Sequence, residues 1–243
     1  MTINFDPASK LAASRPFLEH LIHWEEELEV RSLDQVLMSG GGPDLAVVVS
    51  VDLIKGFAVK GALSSERVGA IIEPVARLLS KAHALGVRHF LFTQDAHPSD
   101  SPEFKQYPPH CIAGTEEAEM VDELAALPFS ADFVVIPKTS VDSACGTVLD
   151  SWFDAHRELT RVIVVGDCTD ICIFQAVMHL KVRATVLGLP YEVVVPASCT
   201  ATYDLPVEAA RQIGAPAHDA AFLHRVFLHQ MALNGVTVVG SLV

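Results

Sequence analysis

Val162-Ile-Val-Val-Gly-Asp-Cys-Thr-Asp-Ile-Cys172 reads as a buried strand, a tight turn and the opening of a helix. Four β-branched apolar residues in succession lack the alternation of a half-exposed strand and suit one covered on both faces. Gly166 ends the run, and Thr169 or Asp170 offers an N-cap for the helix that follows. The same pattern recurs on either side. Leu45–Val51, Val87–Thr93, Phe133–Ile136, Tyr191–Val195 and Val236–Val239 are further apolar strand-like runs. Between the runs, Ser64–Leu85, Glu116–Leu127, Thr147–His156, Asp170–Lys181 and Pro206–Asn234 carry helical periodicity. Strand–helix alternation implies right-handed crossovers and a parallel sheet. The expected fold is therefore α/β: a three-layer α/β/α domain over 45–243 with a doubly wound, mainly parallel six-stranded sheet.

Ligands of such sheets sit beyond the carboxyl ends of the strands. Asp52, Asp95, Lys138 and the 167–172 segment all fall at or just after a strand's end, so four separate strands point chemistry at one rim. The first 44 residues differ in character. Ser14–Leu37 is amphipathic and helical in pattern, with Glu25–Glu27 on its exposed side, and Ser39-Gly-Gly-Gly-Pro43 breaks it as a linker. This arm either packs on its own domain or makes a subunit contact in a homo-oligomer.

Composition narrows the function classes. A formal charge of −13 disfavours a surface that tracks nucleic-acid phosphates. No apolar run approaches the roughly 18 to 20 residues of a membrane span. Met-Thr-Ile-Asn-Phe-Asp lacks the basic-then-apolar order of a secretory signal. Five cysteines, an odd number spread over a domain that needs no staples, suit reduced cytoplasmic thiols. The expected partner is a small neutral or cationic molecule.

Three groups of residues carry candidate chemistry. Thr93-Gln-Asp-Ala-His-Pro98, Glu103 and Tyr107-Pro-Pro-His-Cys111 bring Asp95, His97, Glu103 and His110 into about one loop. Oxygen and imidazole donors of this kind suit zinc, manganese or iron. Cys172 lies in the first helical turn, where the dipole favours a thiolate and the backbone N–H groups of the turn could bind an oxyanion. Asp52 could accept the thiol's proton, and Lys138 could favour the thiolate electrostatically. Phe57 and Tyr107 could sandwich a flat ring. The bland alternatives are a structural cysteine, a capping aspartate, a surface lysine and a solvated polar turn.

Taken together these residues resemble the isochorismatase-like cysteine hydrolases, and among them the nicotinamidase branch. Asp52-Leu-Ile-Lys-Gly-Phe57 is similar to D-x-Q-N-D-F, and Gly166-Asp-Cys-Thr-Asp-Ile-Cys172 to G-x-x-T-D-x-C. Thr93–Pro98 is similar to T-x-D-W-H-P, and Tyr107–Cys111 with Gly114-Thr115 to W-P-x-H-C-x-x-G-T. Lys55 and Gly56 replace a polar pair, and Ala96 replaces a tryptophan. Glu103 stands seven residues before the P-P-H histidine, as a glutamate does in some relatives.

The resemblance implies deamidation of nicotinamide to nicotinate and ammonia through a thioester on Cys172, with Asp52 and Lys138 as its partners. It implies an oxyanion hole from the backbone N–H groups of Cys168 and Cys172, and a cis peptide between Asp167 and Cys168. It also implies one divalent ion, zinc first and iron or manganese otherwise, held by Asp95, His97, His110 and Glu103, the last directly or through water. A relative acting on another small amide or ureido compound, or a non-catalytic binder on this scaffold, would share much of this pattern.

Overall fold

A computed structural model describes residues 6–243; residues 1–5, on which the reading of the leader rests, lie outside the described residues. Six strands form the spine: β1 (Ala46–Val51), β2 (His89–Asp95), β3 (Val134–Lys138), β4 (Arg161–Asp167), β5 (Glu192–Pro196) and β6 (Thr237–Val239). Six helices matter here: α1 (Pro7–Glu26), α2 (Leu33–Ser39), α3 (Ile72–Leu85), α4 (Leu149–Ala155), α5 (Cys172–Leu187) and α6 (Ala220–Leu233). The sheet order is β3-β2-β1-β4-β5-β6, every pair parallel. A short strand, Thr200–Ala201, adds to the carboxyl end of β4.

This is the doubly wound order, with its switch point between β1 and β4. All six residues of β1 are buried because both faces are covered. On one face Val48, Ile163 and Val165 meet α2 and α3 through Leu33, Val75, Leu79 and Ala82. On the other, Val47, Val49 and Val164 meet Leu149, Phe153, Ile173, Val177 and Leu228 of α4, α5 and α6. Between β1 and β4 the backbones approach closely at their carboxyl ends. Gly166 has φ +119, and a Cβ there would stand 2.0 Å from the Val51 carbonyl oxygen. No other residue fits.

Several helices depart from the sequence expectation. The single amphipathic segment expected over Ser14–Leu37 is two helices, α1 and α2. Between them Val30–Arg31 runs extended, pairing in parallel with Ser241–Leu242. Asp6 caps α1 through its side chain, with Pro7 opening the helix, which sets the earlier start. The apolar side of α1 leans on α6: Trp24 and Phe17 pack edge-on against His229, and Arg225 reaches Glu25 at 2.6 Å. Glu25 is thus paired and half-buried, whereas Glu26 and Glu27 are exposed. Ser64–Leu85 breaks after Gly69, which passes so near the Ala58 carbonyl that a Cβ would sit 2.8 Å away. Pro206–Asn234 breaks at Gly214, which takes φ +68.

Candidate active site

Each strand end supplies one part of the rim. Directly after β1, Asp52 takes φ +57, a left-handed conformation uncommon for a residue with a Cβ. Its N–H donates to the Thr93 carbonyl and its Oδ1 accepts from the Asp95 N–H, both at 2.9 Å. The carboxylate is thereby fixed by the neighbouring strand's end. Asp95 closes β2, and Lys138 closes β3, one residue beyond Pro137. Sequence alone ended that strand at Ile136; an edge strand tolerates the proline's missing N–H.

Lys138 is fully buried. Its Nζ lies 2.7 Å from Asp52 Oδ2, 2.6 Å from Asp95 Oδ1, 3.0 Å from the Ser140 carbonyl oxygen and 3.7 Å from Cys172 Sγ. One ammonium therefore gathers two carboxylates and the sulfur. Burial disfavours its charge, but Asp52, Cys172 and Asp95 together hold its pKa well above the ordinary lysine value. The two carboxylates diverge. Burial, reinforced by the Asp95 charge, raises Asp52 to about 7, against the pull of Lys138 and a hydrogen bond from Cys172. Burial also opposes ionisation of Asp95, but Lys138 and the two facing imidazoles keep it well below the carboxylate range.

Cys172 is the first residue of α5 and is buried. The sequence reading placed the cap at Thr169 or Asp170, but the cap position is Ile171, with no side-chain hydrogen bond. Those two side chains are engaged elsewhere: Thr169 Oγ1 with His224 Nδ1 and Asp170 Oδ2 with His218 Nε2, each at 2.8 Å. The expected preference for a thiolate is also reversed in the resting site. Burial pushes the Cys172 thiol well up, and Asp52 and Asp95 add to it, outweighing Lys138. Ionisation at neutral pH therefore needs a proton acceptor. The Asp167–Cys168 peptide is cis. The Cys168 carbonyl accepts from Ile171 and Ile173, while the N–H groups of Cys168 and Cys172 have no acceptor among the described residues.

Beside this cluster Asp95, His97 and His110 are buried with donor atoms all within 4.8 Å of one another. Asp95 Oδ2 stands 3.4 Å from His97 Nε2 and 3.8 Å from His110 Nε2. His110 Nδ1 donates to the Pro108 carbonyl at 2.9 Å, which in the neutral imidazole leaves the Nε2 lone pair facing the cluster. His97 Nε2 is buried and makes no hydrogen bond among the described residues. An orphaned imidazole nitrogen beside a second lone pair and a carboxylate oxygen fits a divalent cation. Glu103, expected among the ligands, is not in this trio. It lies in the 3₁₀ turn Pro102–Lys105, half-buried, its pKa raised by burial and then by Asp95.

Both expected ring residues flank His110: Phe57 at 5.6 Å and Tyr107 at 6.1 Å between centroids. Phe104, which the sequence reading passed over, stands edge-on to both His97 and His110 at 5.5 and 5.6 Å. Its position inside the proline-bounded loop was the available signal. Ser140 was also missed; it acts only through its carbonyl, which no residue type advertises.

Residues 46–240 match the family described as isochorismatase domain. The chain belongs to the isochorismatase family. It is 33% identical over 212 residues to nicotinamidase 1 of Arabidopsis thaliana, covering 80% of this chain and 85% of that protein. It is 27% identical over 142 residues to a nicotinamidase/pyrazinamidase of Mycobacterium tuberculosis, covering 54% of this chain and 76% of that protein. A crystal structure of a Bacillus subtilis nicotinamidase superimposes with a TM-score of 0.62 at 25% identity, covering 80% of this chain and 98% of that one. As in other members of the isochorismatase family, the chain builds its rim on a mostly parallel sheet with flanking helices. Among the described residues no helix is long and apolar enough to cross a membrane.

Proposed function

We propose that this isochorismatase-family chain is a metal-assisted cysteine amidohydrolase that converts nicotinamide to nicotinate and ammonia. The observation that carries this reading is the meeting of Asp52, Asp95 and Cys172 on the single ammonium of Lys138. The sequence relation to two nicotinamidases supports the choice of substrate.

Asp95, His97 and His110 would hold a divalent ion, zinc first, with Glu103 on the adjacent turn joining directly or through water. When bound, the ion would supply a Lewis-acidic template for a pyridine nitrogen, orienting the ring without generating the nucleophile. Phe57 and Tyr107 would enclose the ring beside it.

Asp52, with a pKa near neutrality, takes the Cys172 proton as the sulfur attacks the carboxamide carbon. Lys138 stabilises the thiolate as it forms. Its proximity becomes effective at that moment, because the neutral thiol gains little from a cation and the thiolate gains much. The N–H groups of Cys168 and Cys172 donate to the carbonyl oxygen as it becomes an oxyanion. Collapse breaks the C–N bond, and the amine leaves as ammonia with the proton that Asp52 held. Asp52 then deprotonates a water, which cleaves the thioester and restores the thiol.

The test is ammonia release from nicotinamide by the purified protein, with metal content assayed on the same sample and Cys172→Ala run alongside. The expected result is turnover in the wild type and none in the folded variant. Equal ammonia release from both proteins would remove Cys172 from the reaction.

A further inference from the structure

Cys111 follows the histidine of the Pro-Pro-His segment and takes φ +44, left-handed backbone for a residue with a Cβ. Both of its backbone polar groups are committed. Its carbonyl accepts from the His97 N–H at 3.0 Å, and its own N–H donates to Glu117 Oε2 at 3.0 Å. The His97 carbonyl in turn accepts from the Ala113 N–H at 2.9 Å, closing a short parallel bridge between the two loops. The backbone of Cys111, with that of Ala113, thus ties the loop carrying His97 to the loop carrying His110. Glu117 is its other anchor.

Glu117 is itself wedged in place. A Cβ on Gly56 would fall 2.5 Å from Cys111 Sγ and 2.9 Å from the Glu117 carbonyl oxygen. A Cβ on Gly61 would fall 2.8 Å from the Glu117 carboxyl carbon. The strand-like contact of Ile54 with Met120, and Lys55 bonded to Glu119 and Asp122 at 3.0 and 2.9 Å, press the same segments together. Two side-chain-free positions therefore leave a slot that the Glu117 side chain fills, between the Phe57 turn and the His110 loop.

We propose that Glu117 is a positioning residue for the divalent-cation site, setting the spacing of the His97 and His110 imidazoles through the N–H of Cys111. A carboxylate on a backbone N–H is a charge-assisted bond, stronger than a neutral one, and it stabilises a backbone conformation that a residue with a side chain otherwise avoids. Outer partners of this kind set ligand orientation and hence affinity. The inference rests on the metal reading above. Its test separates the two.

Zinc affinity is measured by competition with a chromophoric chelator for wild type, Glu117→Ala and Glu117→Gln, alongside the thermal midpoint of each metal-free protein. Glu117→Ala is expected to weaken zinc by about 10- to 100-fold. Glu117→Gln, whose amide oxygen accepts from the same N–H, is expected to restore most of that loss. Should Glu117→Ala fail to fold, Gly56→Ala pushes a methyl against both Cys111 Sγ and Glu117 and is expected to weaken zinc as well. Wild-type affinity in Glu117→Ala, or in Gly56→Ala where that variant stands in for it, overturns the proposal, even with a lowered midpoint. So does a Glu117→Gln variant as weak as the alanine one. A wild-type protein that takes up none of zinc, iron or manganese overturns the metal reading itself, and this inference falls with it.

Discussion

Lys138 Nζ lies 2.6 Å from Asp95 Oδ1, and the other oxygen of that carboxylate faces His97 and His110. One aspartate thus borders both the ammonium beside Cys172 and the imidazole pair. The two halves of the site share a charge.

That sharing gives opposite effects in one variant. Asp95→Asn keeps an oxygen for Lys138 but removes the charge of a proposed zinc donor, so zinc affinity should fall beyond the roughly 10- to 100-fold that loss of an outer partner costs. The same change removes a negative charge that opposes ionisation of Cys172. Alkylation of Cys172 by iodoacetamide at neutral pH should therefore become several-fold faster. A slower alkylation in this variant would break the argument.

Lys138→Met tests the buried cation. Removing it leaves the buried Asp95 charge without its ammonium and drives Asp52, already at about 7, further toward its protonated form; a buried pair that loses one partner costs about 3–5 kcal/mol. Urea unfolding at pH 7 reads that loss directly. It should grow as pH rises above about 7, where Asp52 ionises in the wild type only with the help of the ammonium. A loss within about 0.5 kcal/mol, typical of surface substitutions, would contradict the burial assigned to this group.

Gly166→Ala addresses the seam between β1 and β4. The added methyl meets the Val51 carbonyl at 2.0 Å, and φ +119 is strained for alanine in any space. The combined cost should exceed about 3 kcal/mol. In a chain of this size that lowers the thermal midpoint by roughly 6 °C or more. A midpoint within 2 °C of wild type, allowing about 1 kcal/mol, would show that the seam can open.

His224 gives a pH signature. Burial lowers its pKa below 6.5, with Glu25 and Asp170 opposing and Arg67 and Arg225 reinforcing. Its Nδ1 meets Thr169 Oγ1 at 2.8 Å. The unfolded chain then binds the proton more readily than the folded one, so stability is full above 6.5 and falls as pH drops through the lowered folded value. Urea midpoints at pH 7.5 and 5.5 should differ less in His224→Gln than in the wild type. An unchanged difference would assign the dependence to other groups.

Most of the fold was legible because its strands are buried on both faces: runs such as Val47-Val-Val49 and Val162-Ile-Val-Val165 have no other stable reading. Strand ends then located Asp52, Asp95, Lys138 and Cys172 without any knowledge of what each would touch. The illegible parts depend on distant partners. Nothing near Val30–Arg31 announces that it will run extended, because the segment it pairs with is Ser241–Leu242. Thr169 and Asp170 looked like caps, and only His224 and His218, far along the chain, divert them. The direction of the Cys172 shift was likewise hidden, since the helix start and the lysine are visible in sequence but the depth of burial is not.

The seam between β1 and β4 also bears on how the chain is made. Val47 finds its neighbour at His89 soon after synthesis, but its other neighbour, Val162, emerges from the ribosome much later. Throughout that interval a nascent chain holds one edge of its most apolar strand unpaired, a template for stray pairing. The strand order that creates the crevice thus also sets a period of vulnerability to aggregation, and rapid translation of the 52–160 stretch would shorten it.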